Sequence, residues 1–101
     1  MGLPLFPAMI IAVLTVDLLL YDSASLKEKR GVIRRLKDRL KNKFNISVAE
    51  VDYLDKWQRA QLGIAQVGGD YKFLEKNMRK ILGMIDAYEA VEVTEHLIEY
   101  L

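Results

Sequence analysis

The sequence predicts an α+β domain whose strands and helices follow the order β-α-β-β-α-β. Three observations predict it: an Ile-, Val- and Leu-rich run from Met9, two segments with apolar residues at helical spacing, and three further segments rich in β-branched residues. A chain of 101 residues is long enough for one hydrophobic core and too short for two. We therefore predict a single domain at 9–101, preceded by an irregular leader at 1–8.

The start of the chain, MGLPLFPAMIIAVLTVDLLLY, is strongly apolar. A signal peptide needs a positively charged start, which is missing here, and a membrane span needs about 20 apolar residues in succession. Pro4, Pro7 and Asp17 interrupt the run. We therefore expect a first strand covered on much of both faces, no membrane association, and a cytoplasmic protein. The absence of cysteine fits that compartment and excludes disulfides, thiolate metal sites and thiol nucleophiles.

Two helices are predicted from caps and apolar stripes. Ser25 and Glu28 form an S-x-x-E capping box after the turn at 22–25, and Asn45 ends the first helix. The turn Gly68-Gly69-Asp70 places a capping aspartate before the second helix. The buried stripes are then Leu26, Ile33, Leu36, Leu40 and Phe44 in the first helix, and Leu74, Met78, Ile81, Ile85 and Tyr88 in the second.

The remaining strands come from NISVAEVDYL, RAQLGIAQV and VEVTEHLIEYL. The first two are separated by Asp55-Lys-Trp-Gln58 and are predicted to form a hairpin. The complete order is the split βαβ pattern of ferredoxin-like domains, in which two helices cover one face of a four-stranded antiparallel sheet.

Charge is unevenly distributed along the chain. Residues 26–44 hold nine Lys/Arg and two Asp/Glu, a net of +7, whereas the other 82 residues carry −6. Five cations recur every three or four residues and therefore share one side of the first helix: Lys27, Arg30, Arg34, Lys37 and Lys41. Such a row suits the phosphates of RNA. The alternative is an ordinary solvated helix face whose cations pair with acidic side chains of the sheet.

The sheet face turned away from the helices is predicted to be too apolar for open water. Alternation places Val13 and Thr15 of the first strand on this face, together with Gly63, Ala65 and Val67 of the third. Contiguous apolar patches mark interfaces, so we expect a homodimer or a docked partner there. The alternative is that the leader folds back over this face. RNA recognition of the RRM type is disfavoured, because these positions offer no aromatic side chains for base stacking.

Other residues give weaker signals. Trp57 and Arg59 near the hairpin turn are secondary candidates for a partner contact, although an aromatic side chain there often packs over its own core edge. Glu50, Asp52 and Asp55 are typical of a strand entering a turn and do not indicate a metal site. His96 is the only histidine, and no nucleophile motif or phosphate-binding glycine loop is present. We expect no catalytic activity and no cofactor.

The segments SLKEKR, from Ser25 to Arg30, and FNISVAEVDYLDKWQRAQLGIAQV resemble the YlxP-like bacterial proteins, and the resemblance extends from Met9 to Leu101. The motif positions of the second segment are Ala49, Glu50, Val51, Asp52, Asp55, Trp57, Gln58, Arg59 and Ala60. The resemblance implies a ferredoxin-like fold and assigns none of these residues a role. Because such proteins are often encoded beside translation initiation factor 2 and ribosome-binding factor A, it also points to translation or ribosome maturation.

Two functions follow as expectations. The first is a noncatalytic accessory protein that binds ribosomal RNA or a ribosomal subunit through the five cations of the first helix. The second is a protein-interaction or ligand-sensing domain that dimerises through its open sheet face. The two are compatible, since a dimer carries two basic helices.

Overall fold

A computed structural model of the chain, which describes residues 8–101, confirms the predicted element order. The strands are β1 (Ile10–Leu19), β2 (Ser47–Asp52), β3 (Arg59–Gly68) and β4 (Glu92–Tyr100), and the helices are α1 (Leu26–Lys43) and α2 (Tyr71–Asp86). The strands form one antiparallel sheet in the order β2-β3-β1-β4. The fold is therefore ferredoxin-like α+β. Apart from Ala8, the predicted leader lies outside the described residues.

The core lies between the helices and one face of the sheet. Alternation along β1 and β3 buries Ala12, Leu14, Val16, Leu18, Ala60, Leu62 and Ile64 on that face, as predicted. The predicted helical stripes supply most of the opposing layer, with Ile33, Leu36 and Leu40 from α1 and Leu74, Met78, Ile81 and Ile85 from α2. Burial of these apolar surfaces is the main stabilising contribution to the fold.

The helix starts are capped as the sequence predicts. Ser25 accepts a hydrogen bond from the Glu28 amide, and the Glu28 carboxylate accepts one from the Ala24 amide. Asp70 caps α2 by accepting from the amides of Lys72 and Phe73. The predicted end of α1 at Asn45 is one residue too late, because the backbone of Phe44 is already extended.

The second strand is shorter than its sequence suggests. Asn45–Leu54 was predicted as extended, but β2 covers only Ser47–Asp52. The pairing of β2 with β3 shifts register between Glu50 and Asp52, and Tyr53 then adopts a positive φ of 60°. A left-handed residue cannot continue the strand, so the chain turns there.

The two ends of the described chain meet on the sheet. Ile11 and Leu101 exchange two backbone hydrogen bonds, of 3.0 and 2.9 Å, just beyond the ladder that joins β1 to β4. β1 therefore has a hydrogen-bonded neighbour on each side over most of its length. The edges of the sheet are β2 and β4.

Candidate functional site

The five predicted cations of α1 lie together on its outer surface, and we call them the cationic row: Lys27, Arg30, Arg34, Lys37 and Lys41. Four of them are exposed, whereas Lys37 is partly covered because it borders the buried stripe. No carboxylate oxygen of residues 8–101 lies within 4.0 Å of a charged nitrogen of the row. Ion pairs between the sheet and these cations are therefore absent from residues 8–101, while an ordinary solvated helix face stays the alternative to a binding surface.

The second helix extends the positive surface beyond the cationic row. Together α1 and α2 contain thirteen Lys/Arg and four Asp/Glu, a net of +9, while the rest of the chain carries −8. Since both helices cover the same face of the sheet, the molecule has a basic helical layer opposite a more acidic remainder. Two acidic residues of α1 stand next to members of the cationic row in sequence: Glu28 beside Lys27, and Asp38 beside Lys37.

The N-terminal half of α1 has a glycine, Gly31, at its surface. Gly31 and the side chains around it line an open depression of about 990 Å³ beside Lys27, Arg30 and Arg34. The Arg35 guanidinium lies across the glycine, with Nη1 3.3 Å from the position a Cβ atom would take. Arg35 thus adds a further cation beside the row. The sequence carried a signal for this arrangement, because a glycine inside a helix costs stability relative to alanine.

One basic residue of α1 faces the protein interior. Lys29 is fully buried, its Nζ lies 2.7 Å from Glu50 Oε2, and it donates a hydrogen bond to the backbone carbonyl of Tyr53. The Glu50 oxygen is itself buried, and its contact with Lys29 is an ion pair outside good hydrogen-bond geometry. Sequence reasoning missed this pair, although Lys29 stands four residues before Ile33 and so falls on the apolar stripe.

The segment between β2 and β3 is held against the start of α1. Lys29 donates to the backbone carbonyl of Tyr53, and the side-chain amide of Gln58 donates to the backbone carbonyls of Tyr21 and Ser23. The Arg59 guanidinium stacks over the Tyr53 ring, 4.1 Å from its centroid. Trp57 is 55% exposed, so it does not pack over its own core edge as an aromatic side chain at a turn often does. It remains available for a partner.

The carboxylate of Glu92, at the start of β4, affects the ionisation of the Tyr21 phenol. Through a hydrogen bond and its charge, it raises the pKa of the exposed Tyr21 phenol above the ordinary value of 10.0. The Tyr21 phenol is therefore harder to ionise than a free tyrosine side chain, since its pKa is raised.

The sheet face away from the helices carries the predicted apolar positions, and we call it the open face. Val13, Thr15, Gly63 and Ala65 lie at its centre and are partly exposed, and Val67 is 60% exposed. The edge strands add Leu97 of β4, 57% exposed, and Val51 of β2, which lies against Gly63. No segment of residues 8–101 covers this surface. The central strands β1 and β3 offer no aromatic side chains on it.

The acidic residues near the hairpin have structural partners or lie at the surface. Glu50 pairs with Lys29, and Asp52 accepts a hydrogen bond from the Tyr53 amide. Among residues 8–101 no three His, Asp or Glu side chains come close enough together to hold a metal ion. His96 lies exposed on β4.

The described part of the chain also contains no helix that is long and apolar enough to cross a bilayer.

The fold and these surfaces define a class: a ferredoxin-like α+β domain with a basic helical layer and an uncovered sheet face. Residues 11–98 match the family described as "Protein of unknown function (DUF503)", and the chain belongs to that family. It is 42% identical over 78 residues to the uncharacterized protein YlxP of Bacillus subtilis (strain 168), a match that covers 77% of this chain and 85% of that protein. The predicted family resemblance is thereby confirmed.

A designed protein has a similar fold. The structure of "De novo designed protein Foldit4" superposes with a TM-score of 0.55 at 12% identity, over 93% of this chain and 97% of that one. At this identity the likeness concerns the fold alone.

Proposed function

We propose that the chain is a noncatalytic RNA-binding protein that assists ribosome maturation or translation, and that the cationic row is its principal contact with RNA. The observation that supports this most directly is that the row is exposed and has no carboxylate within 4.0 Å in residues 8–101. Cations that are already paired would have to break those pairs before binding phosphate. These five do not.

The dimensions of the row also suit a phosphate backbone. Lys27 and Lys41 are fourteen residues apart, which spans about 21 Å along a helix. Arg30 and Arg34 stand between them beside the depression at Gly31, where Arg35 adds another guanidinium. Guanidinium groups bind phosphate oxygens in pairs of parallel hydrogen bonds, so this part of α1 offers the strongest anion contacts.

The acidic remainder of the molecule determines the side from which RNA would approach. The helical layer carries +9 and the remaining residues −8, so a polyanion is attracted to the helices and repelled from the sheet side. RNA would therefore approach α1 from outside, and the open face would stay available for other contacts.

The test is co-sedimentation with separated small and large ribosomal subunits at low and moderate salt, using Arg30→Glu, Arg34→Glu and Lys41→Glu together. All three residues are exposed, so the reversal removes binding while leaving the fold intact. The matched control reverses Lys72, Lys76 and Lys80, three exposed cations of α2, and changes the net charge equally. We expect saturable binding to one subunit that the α1 variant loses and the α2 variant retains.

Three results would contradict the proposal: no binding at low salt, equal loss in both variants, or unchanged binding in the α1 variant. Equal loss would assign the effect to net charge alone. If three to five cations contact single-stranded RNA, the logarithm of the binding constant should fall with that of the salt concentration at a slope of about −2 to −3.5.

A further inference from the structure

An open depression of about 510 Å³ lies where the end of α1, the end of β3 and the first half of α2 meet. Its volume falls within the range of about 300 to 1,000 Å³ that is typical of small-molecule sites. Its lining contains no Asp or Glu and combines two aromatic rings, two amide side chains and two lysines: Phe44, Phe73, Gln66, Asn77, Lys43 and Lys80. None of these residues belongs to the cationic row.

A buried glutamine of this depression fixes the asparagine beside it. Gln66 continues the inward-facing positions of β3, which are otherwise apolar, and it is 7% exposed. Its Nε2 donates to the backbone carbonyl of Asn45 over 3.3 Å, and its Oε1 accepts from Asn77 Nδ2 over 3.1 Å. The contact orients the Asn77 amide, whose oxygen and second N–H have no partner within residues 8–101. Asn77 therefore presents a donor and an acceptor side by side, the pattern that amide side chains use to bind the edge of a nucleobase.

Two phenylalanine rings add apolar surface to the same depression. Phe73, in the first turn of α2, is 56% exposed, so its ring is not part of the core. Phe44, directly after α1, is half-buried. Aromatic side chains beside hydrogen-bonding groups suit a planar heterocycle, because any nucleobase has a face that stacks on a ring and an edge that hydrogen-bonds.

Two lysines give the depression a positive charge. Lys43 at the end of α1 and Lys80 of α2 are exposed, and no carboxylate oxygen of residues 8–101 lies within 4.0 Å of either ammonium nitrogen. A lysine ammonium binds phosphate as a point charge. Lys43 follows Lys41 of the cationic row by two residues, which is about 200° around the helix. The depression therefore lies on a different side of α1 from the row.

We propose that this depression binds a nucleotide. The base packs against Phe44 and Phe73, its polar edge meets the Asn77 amide, and the phosphate contacts Lys43 and Lys80. The chemistry that is recognised is a planar base joined to a phosphate, whether in a free nucleotide or at the 5′ end of an RNA chain. The proposal does not depend on the RNA contact of the cationic row, because the two sites share no residue.

The experiment is an NMR titration of the full chain with adenosine 5′-monophosphate, and separately with adenosine and with inorganic phosphate. We expect the nucleotide to bind at least about tenfold more tightly than either part and to shift the side-chain amide signals of Asn77. Phe73→Ala should weaken nucleotide binding at least about tenfold and leave phosphate binding unchanged. The matched control is Tyr71→Ala in the same turn, because the Tyr71 ring instead packs against Tyr100, with 4.7 Å between centroids.

Three results overturn the proposal: no binding of the nucleotide, phosphate alone binding as tightly as the nucleotide, or equal effects of Phe73→Ala and Tyr71→Ala. The variant with Arg30→Glu, Arg34→Glu and Lys41→Glu separates this site from the cationic row, since it should bind the nucleotide as the unmodified chain does. Loss of nucleotide binding in that variant would place the ligand on the row and would also overturn the proposal.

The same α1 variant distinguishes the two sources of the nucleotide. A short oligoadenylate with a 5′-phosphate and one without it are added in turn to the complex with adenosine 5′-monophosphate. Displacement by the phosphorylated chain alone assigns the depression to the 5′ end of an RNA. Displacement by neither chain assigns it to a free nucleotide.

Discussion

Lys29 and Glu50, which stand on different elements and 21 residues apart, form a buried ion pair with 2.7 Å between Nζ and Oε2. Through it the two sequence segments that carry the family resemblance meet in the folded chain, SLKEKR at the start of α1 and the segment containing β2. The same ammonium group also binds the Tyr53 carbonyl, so a single side chain joins the helix, the strand and the turn that follows it.

Removing one partner of this pair should be far more damaging than removing both. Lys29→Met leaves the Glu50 carboxylate without its counter-charge in a nearly dry site, and we expect a loss of about 3 to 5 kcal/mol in the free energy of unfolding. Lys29→Met with Glu50→Leu should recover most of that loss, because apolar side chains of similar volume pack there without desolvating a charge. Urea unfolding of the two variants measures the difference. A Lys29→Met variant that loses less than about 1 kcal/mol would contradict this account.

The cap of α1 should have a measurable effect on stability. Ser25→Ala removes the oxygen that accepts the Glu28 amide, and we expect a loss of about 0.5 to 2 kcal/mol. Ser47→Ala on the exposed edge strand β2 is the control, because that serine makes no side-chain hydrogen bond within residues 8–101. Thermal unfolding followed by circular dichroism compares the two. Equal melting temperatures would show that the capping box does not stabilise the fold.

The positive φ of Tyr53 predicts an unusual order of stability among variants of this residue. Tyr53→Gly relieves the left-handed backbone but loses the stacking with Arg59, so the two effects should nearly cancel to within about 1 kcal/mol. Tyr53→Val loses the same stacking and keeps a β-branched side chain in that conformation, and we expect it to be less stable than Tyr53→Gly by about 1 kcal/mol or more. Chemical unfolding of both variants gives the order. The reverse order would mean that Tyr53 is not left-handed in solution.

The two helical glycines should respond differently to alanine. A Cβ at Gly83 would meet no atom within 4 Å, so Gly83→Ala should gain about 0.5 to 1 kcal/mol from helix propensity. At Gly31 the new Cβ must displace the Arg35 guanidinium, which reduces the gain. The difference between the two melting temperatures measures the cost of moving Arg35. If Gly31→Ala gains as much as Gly83→Ala, Arg35 has no preference for lying across the glycine.

Periodicity was sufficient to predict the element order, the core and the faces of the sheet, because each depends on local spacing. The positions of Ala12, Leu14 and Leu62, for example, follow from alternation alone. The cationic row was predictable for the same reason. What sequence periodicity could not supply was the identity of long-range partners.

Lys29 illustrates this limit. A lysine among eight other basic residues of α1 is expected in solvent, and only the position of Glu50 on the inner side of β2 makes its burial favourable. The early end of β2 has a similar origin. The shift of register near Glu50 and the left-handed Tyr53 lie beside the Lys29 contact and the turn, whereas the β-branched composition of the segment favours a longer strand.

The closure of β1 by β4 determines when the sheet can be completed. β4 is the last of the four strands to be synthesised, and it is the one that covers the second edge of β1, with Ile11 and Leu101 joined at the end of the ladder. Until β4 emerges, β1 presents an apolar, unpaired edge to every other nascent chain nearby. Folding must therefore wait for contacts between residues at opposite ends of the described chain, and slow formation of that last pairing would make this domain dependent on protection from aggregation during synthesis.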